Sequence, residues 1–505
     1  MPRTCVAVTC FLLFCVTPLC AQSVSVEGGS ILGATAEGVH SFKGIPFAAP
    51  PVGDLRWKPP QSVVAWDGVR ECIAYGDSCP QKPYPAGSLY ARKPEKQSED
   101  CLYLNVWTTE LGADAKRPVM VWIHGGGLTR GSGANTVYDG ANLARKGVVL
   151  VTINYRLGPL GYMAHPELTE ESPKSASGNY GVLDQIAALK WVQQNIANFG
   201  GDPGRVTIFG ESAGSWSVNV LVATPLASGL FHRAIGQSGG SFGPGTPLSA
   251  AEKKGVEFME AAGAESLQQL RSLSAEQLLA VNASRTRSVV DGWVLPDTVR
   301  SIFAAGKQNN VPVIVGSNAD EMTSLTNPAT IPRTREALRK RIEAELGELA
   351  GEFEALYPAE TDADAARAWL DSRRDRGFSV QMRVWARMTA TGNSQAYLYQ
   401  FTRVPPIPNS EYFGAFHAAE IAYAFSNINR LPSQYAELDN KLSDTISAYW
   451  VKFAATGDPN GEGLPAWAAY NPDDEPYQDL GDTVETKNHL LKDQLDFWER
   501  VLNGR

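Results

Sequence analysis

Cysteine is scarce and unevenly placed: four of the seven, Cys5, Cys10, Cys15 and Cys20, stand at the very start of the 505-residue chain. Only Cys72, Cys79 and Cys101 lie beyond it. An exported protein can keep one disulfide, and closing the polar loop from Cys79 to Cys101 would contribute roughly 3 kcal/mol and leave Cys72 free. Clusters of Lys and Arg interleaved with aromatics are absent, and the net charge is −9. Both argue against a nucleic-acid groove. There is no internal repeat and no long low-complexity linker. The N-terminal apolar run, Cys5 to Val16, is too short to span a bilayer comfortably.

That run follows Arg3 and leads to Pro18 and the small residue Ala21, the layout of a secretory signal peptide cleaved near Ala21. Residues 1–21 therefore read as a signal and 22–505 as the mature domain, exported to the periplasm or the exterior. Leu19 is too bulky for the small residue that precedes a lipid-bearing cysteine, so Cys20 is not read as an anchor. The composition, 43% hydrophobic and 20% charged, is that of an ordinary globular protein with a sizeable core. The length fits two or three average domains or one large α/β unit with insertions.

The stretch that organises the chain is Val206-Thr207-Ile208-Phe209-Gly210-Glu211-Ser212-Ala213-Gly214-Ser215. A β-favouring run passes directly into Gly-x-Ser-x-Gly, the pattern of a strand-to-helix turn that exposes its serine. Trp216, Val218, Val220, Leu221 and Val222 then supply a largely buried helix whose N-terminus points at the reacting carbonyl oxygen. Upstream, the strand Val119 to Ile123 ends in His124-Gly125-Gly126-Gly127, where backbone N–H groups can approach a ligand closely, as an oxyanion hole requires.

Further elements place these motifs on a parallel sheet. Alternating apolar residues from Val24 to Phe47 read as short strands, and Leu102 to Trp107 and Val148 to Asn154 as core strands. Asp184 to Phe199 has the apolar spacing of an amphipathic helix, stopped by Gly200-Gly201-Asp202-Pro203 just ahead of the serine strand. Ala234 to Gln237, Val311 to Val315 and Ala396 to Phe401 continue the strands, and Ser443 to Thr456 reads as a helix. The charged stretch Thr334 to Arg376 reads as a helical cap with a solvated face. This order predicts an α/β fold with a mostly parallel sheet and helices on both faces.

Ester hydrolysis through a serine needs a base for its proton, an acid to orient the base, and donors for the oxyanion. Among six histidines, only His417 follows a late core strand. An acid is expected in Gly316-Ser317-Asn318-Ala319-Asp320-Glu321, after the strand that ends at Val315. The order Ser212, Glu321, His417 is the serine, acid, histidine order of such hydrolases. This chemistry calls for no metal and no cofactor.

Across nearly the whole mature chain the sequence resembles the type-B carboxylesterases, the family of cholinesterases and bacterial para-nitrobenzyl esterases. The resemblance rests on Gly44-Ile45-Pro46-Phe47, Ser98-Glu99-Asp100-Cys101-Leu102-Tyr103-Leu104-Asn105, Gly178-Asn179-Tyr180-Gly181, Phe199-Gly200-Gly201-Asp202-Pro203 and Phe209-Gly210-Glu211-Ser212-Ala213-Gly214. It implies an α/β-hydrolase fold with Ser212 as nucleophile, Glu321 rather than Asp320 as acid, and His417 as base. It also implies Gly126, Gly127 and Ala213 as oxyanion donors, Ser238 and Glu211 as supports of the triad, and a Cys79–Cys101 disulfide. Two positions depart from the family's pattern: Met322 and Ala418 replace the glycines usual after the acid and the histidine.

A cholinesterase holds its quaternary ammonium on a tryptophan in the loop that corresponds to Cys79–Cys101. Here that loop has Tyr84 and Tyr90 and no tryptophan. The expected substrates are therefore small acyl or aryl esters. An amidase or lactonase on the same triad is the nearer alternative, and a non-catalytic binding protein of cholinesterase type the more distant one. Neither a nucleic-acid partner nor stable membrane insertion is expected. Arg130, three residues beyond Gly127, is unusual for the wall of such a site. It must pair with a carboxylate such as Glu211, reach solvent, or await an anionic ester.

Overall fold

The computed structural model describes residues 22–85, 87–93, 95–282 and 288–504. The expected signal peptide lies outside them. Two short strands, β1 (Ser23–Val26) and β2 (Gly29–Leu32), pair antiparallel and form a three-stranded sheet with β5 (Val69–Glu71). A second sheet of eleven strands gathers β3 (Ala34–Ala36), β4 (Val39–Pro46), β6 (Tyr103–Thr108), β7 (Arg117–Ile123), β8 (Val149–Ile153), β9 (Gly201–Glu211), β10 (Arg233–Gln237), β11 (Val313–Asn318), β12 (Ala396–Phe401), β13 (Pro476–Leu480) and β14 (Val484–Asn488). Its order is β14-β13-β12-β11-β10-β9-β7-β8-β6-β4-β3. From β8 through β13 the neighbours are parallel, and antiparallel strands close both edges.

Both faces of the parallel strands are covered, which is why they read as continuous apolar runs rather than as alternating ones. Successive side chains go to opposite faces. Val119, Val121 and Ile123 of β7 join one core with Val218, Val220 and Leu221 of the helix Ala213–Ala223. Met120 and Trp122 join the other with Ile446, Trp450 and Phe453 of the helix Glu437–Thr456. Trp122 has no exposure and its ring lies 4.8 Å from that of Phe209 and 4.9 Å from that of Phe425. Truncating such a side chain to alanine costs about 3 to 5 kcal/mol.

The structure moves several expected boundaries. The strand expected at Val311 starts at Val313, because Pro312 cannot donate to the ladder. The expected helix Asp184 to Phe199 runs Tyr180–Asn195 and tightens into a 3-10 turn before Gly200, whose φ of 79° ends it. The helix expected from Ser443 starts earlier, at Glu437. The cap from Thr334 to Arg376 is helical as expected, but its end is not a solvated face. Arg374 and Asp375 are buried, and a π turn, Asp375–Ser379, carries Arg376, Gly377 and Phe378 to the wall of the main cavity.

Candidate active site

Strands β12, β11, β10, β9 and β7 are neighbours, and their C-terminal ends lie together: Tyr399 pairs with Gly316, Gly316 with Gln237, and Gln237 with Glu211. In a parallel sheet the residues after those ends share one rim. Here they are His124 to Gly127 after β7, Ser212 after β9, Ser238 after β10 and Glu321 after β11, with His417 in the longer loop after β12. Ser212, Ser238, His417, Glu211 and the glycines line one cavity of about 1200 Å³.

Ser212 has φ 56° and ψ −120°, a conformation that few non-glycine residues adopt. Its N–H donates to the Gln237 carbonyl at 2.8 Å, which fixes the turn against β10. The turn is also tight, since a Cβ at Gly214 would strike the Ile123 carbonyl oxygen. The helix Ala213–Ala223 starts immediately after, so the Ala213 N–H is one of the first-turn donors without an intrahelical acceptor. Gly126 has φ 105°, and its carbonyl accepts from the Arg130 N–H at 3.1 Å. Among the described residues the Gly126 and Gly127 N–H groups have no hydrogen-bond partner.

His417 is 4% exposed and held from both sides. Its Nδ1 lies 2.5 Å from Oε2 of Glu321, and its Nε2 lies 3.0 Å from Oε1 of Glu211. The other Glu321 oxygen accepts the Asn318 N–H at 2.7 Å. Burial pulls the imidazole down, but the charges of Glu211 and Glu321 outweigh it and hold the ring above its ordinary value. Burial pushes the Glu211 carboxyl up, and His417 offsets this only in part. No hydrogen bond joins the Ser212 hydroxyl to His417 among the described residues.

The structure places Asp320 elsewhere, with Oδ1 2.6 Å from Arg367 and Oδ2 accepting the Ala415 N–H at 2.8 Å. Ser238 is buried with φ 58°, and its hydroxyl has no partner among the described residues. The pairing of Arg130 with Glu211 is not found: Glu211 faces His417, and Arg130 lies over the Tyr84 ring at 5.3 Å, its Nε donating to the Lys82 carbonyl at 3.1 Å. Cys79 and Cys101 are bonded, and Cys72 is free and buried. Met322 opens the short helix Met322–Leu325, whereas Ala418 sits at φ 69°.

The sequence pattern gives no sign of Glu420 or Phe378 at the site, nor of the contacts that Tyr90 and His124 make there. Glu420 is a third buried carboxylate, accepting from Gln237 at 2.9 Å and Asn318 at 2.6 Å. The Tyr90 hydroxyl donates to the His417 carbonyl at 2.9 Å and meets Ser324 at 2.8 Å. The Phe378 ring is 5.1 Å from the His417 ring. His124 is buried and stacked on Tyr155, with its Nδ1 2.8 Å from the Gly125 carbonyl oxygen. Among the described residues no group of three or more His, Cys, Asp or Glu is placed to hold a metal ion, and no helix is long and apolar enough to cross a membrane.

A largely parallel sheet covered by helices on both faces, with a strained serine turn after a central strand, defines an α/β-hydrolase. The chain belongs to the Carboxylesterase family, whose profile matches residues 21–498, and it is a carboxylic ester hydrolase. It is 38% identical over 471 residues to a fumonisin B1 esterase of Sphingopyxis macrogoltabida, covering 88% of this chain and 84% of that one. It is 36% identical to the para-nitrobenzyl esterase of Bacillus subtilis strain 168, covering 89% and 93%. Among solved structures, a carboxylesterase of Geobacillus stearothermophilus superposes with a TM-score of 0.83 at 34% identity, covering 94% of this chain and 99% of that one.

Proposed function

We propose that the protein is an exported serine esterase that hydrolyses small acyl or aryl esters through an acyl-enzyme on Ser212. The observation that carries the reading is the pairing of His417 Nδ1 with Glu321 at 2.5 Å beside the cavity that Ser212 lines. Export is supported by the N-terminal pattern and by the Cys79–Cys101 disulfide.

In this mechanism Nε2 of His417 takes the proton as Ser212 Oγ adds to the ester carbonyl, and Glu321 stabilises the imidazolium that forms. The N–H groups of Gly126, Gly127 and Ala213 receive the oxyanion. Collapse breaks the bond to the alcohol, which leaves with the proton from His417. Water then attacks the acyl-enzyme by the same route and releases the acid. Glu211 holds the His417 ring on the side opposite Glu321.

The test is stoichiometric labelling. An aryl dialkyl phosphate, which transfers its phosphoryl group to an activated serine and releases the aryl alcohol, should stop hydrolysis at one equivalent per chain. Peptide mass mapping should place the adduct on Ser212. Inactivation with the adduct on another residue would defeat the assignment.

A further inference from the structure

The whole chain is acidic at −9, yet six cationic side chains, Arg92, Lys93, Arg130, Arg373, Arg376 and Arg430, line the main cavity against two carboxylates, Glu95 and Glu211. Their pairing inside the protein does not remove that excess. Arg430 meets Asp139 at 3.0 Å. Arg373 and Arg376 both turn to a single carboxylate, Glu345, so two charges share one counter-charge. Glu211 is engaged by His417, and Glu95 accepts from the hydroxyls of Ser78 and Ser132. Arg92, Lys93 and Arg130 take part in no ion pair among the described residues.

Arg130 is the cation most tightly tied to the reacting centre. Its main-chain N–H bonds the Gly126 carbonyl, and its half-buried side chain is held by the Tyr84 ring and by one bond from Nε to the Lys82 carbonyl. The two terminal nitrogens of the guanidinium have no protein acceptor among the described residues. A planar fork held by its stem with both tips free is the arrangement that receives a carboxylate by two parallel hydrogen bonds. Burial pushes the Tyr84 phenol up, and Arg92 and Arg130 pull it part of the way back, so both charges act on the same wall of the cavity.

We propose that the site selects esters that carry a free carboxylate, such as monoesters of dicarboxylic acids, with Arg130 receiving that carboxylate and Arg92 adding to the attraction. The inference rests on the ester-hydrolase reading and names its substrate class. A low-dielectric cavity lined by one sign of charge concentrates substrates of the other sign and speeds their entry.

The test compares two substrates on the full chain: the mono-para-nitrophenyl ester of glutaric acid, and the same ester with its second carboxyl capped by methyl. Release of para-nitrophenol gives kcat/KM for each, and the quantity read is the ratio of anionic to capped. The wild type should favour the anionic ester, and the ratio should fall as salt is raised. Arg130→Met should lower the ratio by about ten- to a hundredfold. Arg130→Lys should retain more of it, because it keeps the charge but not the fork. Arg92→Met, at an exposed side chain without an ion-pair partner among the described residues, should lower the ratio by a few fold and carries the test if Arg130→Met does not fold. A wild type that prefers the capped ester, or ratios within twofold of wild type in both methionine variants, would overturn the proposal. Hydrolysis of neither ester would overturn the esterase reading along with it.

Discussion

Nε2 of His417, the nitrogen that takes the serine's proton in the proposed mechanism, lies 3.0 Å from Oε1 of Glu211, the residue directly before Ser212. With Glu321 2.5 Å from the other nitrogen, the ring stands between two carboxylates. A general base must be neutral to act, and both carboxylates favour the protonated ring. The two carboxylates thus hold the ring protonated to a higher pH than a free imidazole, against the opposing effect of burial.

The acid limb of kcat/KM for a neutral ester should therefore lie above the ordinary histidine value, with activity rising as pH rises through it. Glu211→Gln removes one of the two charges and should move that limb down by about one pH unit. Because the two groups titrate as a coupled pair, the profile reports the pair rather than either residue. An unmoved limb, or one moved upward, would show that Glu211 does not set the charge of the ring.

Ser212→Ala should fold normally and lower kcat on the order of 10⁵-fold or more, since only the hydroxyl can form the acyl-enzyme. His417→Ala should be nearly as damaging. Thermal melting alongside the kinetics separates loss of chemistry from loss of fold. Turnover by Ser212→Ala within tenfold of wild type would refute the covalent route.

Glu321→Gln and Asp320→Asn should separate cleanly, though the two acids are adjacent. The amide at 321 still touches Nδ1 but cannot stabilise the imidazolium, so kcat should fall about 10³- to 10⁴-fold. Asp320 instead holds Arg367 and the Ala415 N–H. Its amide should cost about 1 kcal/mol of stability and less than tenfold in rate. Parallel kinetics on both variants check this, and the reverse ranking would reassign the acid.

Removing the disulfide by Cys79→Ser should cost about 3 kcal/mol, the loop-closure entropy returned to the unfolded chain. The bridged loop also carries Tyr90, whose hydroxyl holds the His417 carbonyl at 2.9 Å. Activity should therefore fall at temperatures below the unfolding transition of the variant. Calorimetry paired with rates at rising temperature reads both effects.

Ala418 has φ 69°, a region in which a Cβ is crowded and glycine is not. Ala418→Gly relieves that strain while loosening the unfolded chain, and the first effect is the larger. Stability should rise by about 0.5 to 1 kcal/mol in denaturant titration. A loss of stability would mean that the alanine methyl packs well enough to offset the strain.

The strands were readable because strands buried on both faces concentrate apolar residues into short runs, and Ser212 because its turn carries its own pattern. His417 was readable from its place after the strand Ala396–Phe401. The choice of Glu321 over Asp320 was not in the spacing, since both follow the same strand. Resemblance favoured Glu321, and the hydrogen bonds at 320 and 321 distinguish the two side chains. Glu420 and the contact of Tyr90 with His417 escaped notice because their partners lie on other elements, with no periodicity linking them. Arg376 and Phe378 reach the cavity through a π turn that a charged helical pattern does not announce.

By itself the sequence determined the order of strands and turns, the serine turn and the family, because backbone sterics, side-chain alternation and helix caps act over a few residues. Tertiary structure alone decided which carboxylate faces which nitrogen of His417, and that Glu211 turns to the ring and not to Arg130. It also decided that a protein of net charge −9 has a candidate site cavity lined by more cations than carboxylates. Those outcomes depend on which distant segments the folded sheet brings within a few ångströms, where low dielectric makes each charge felt.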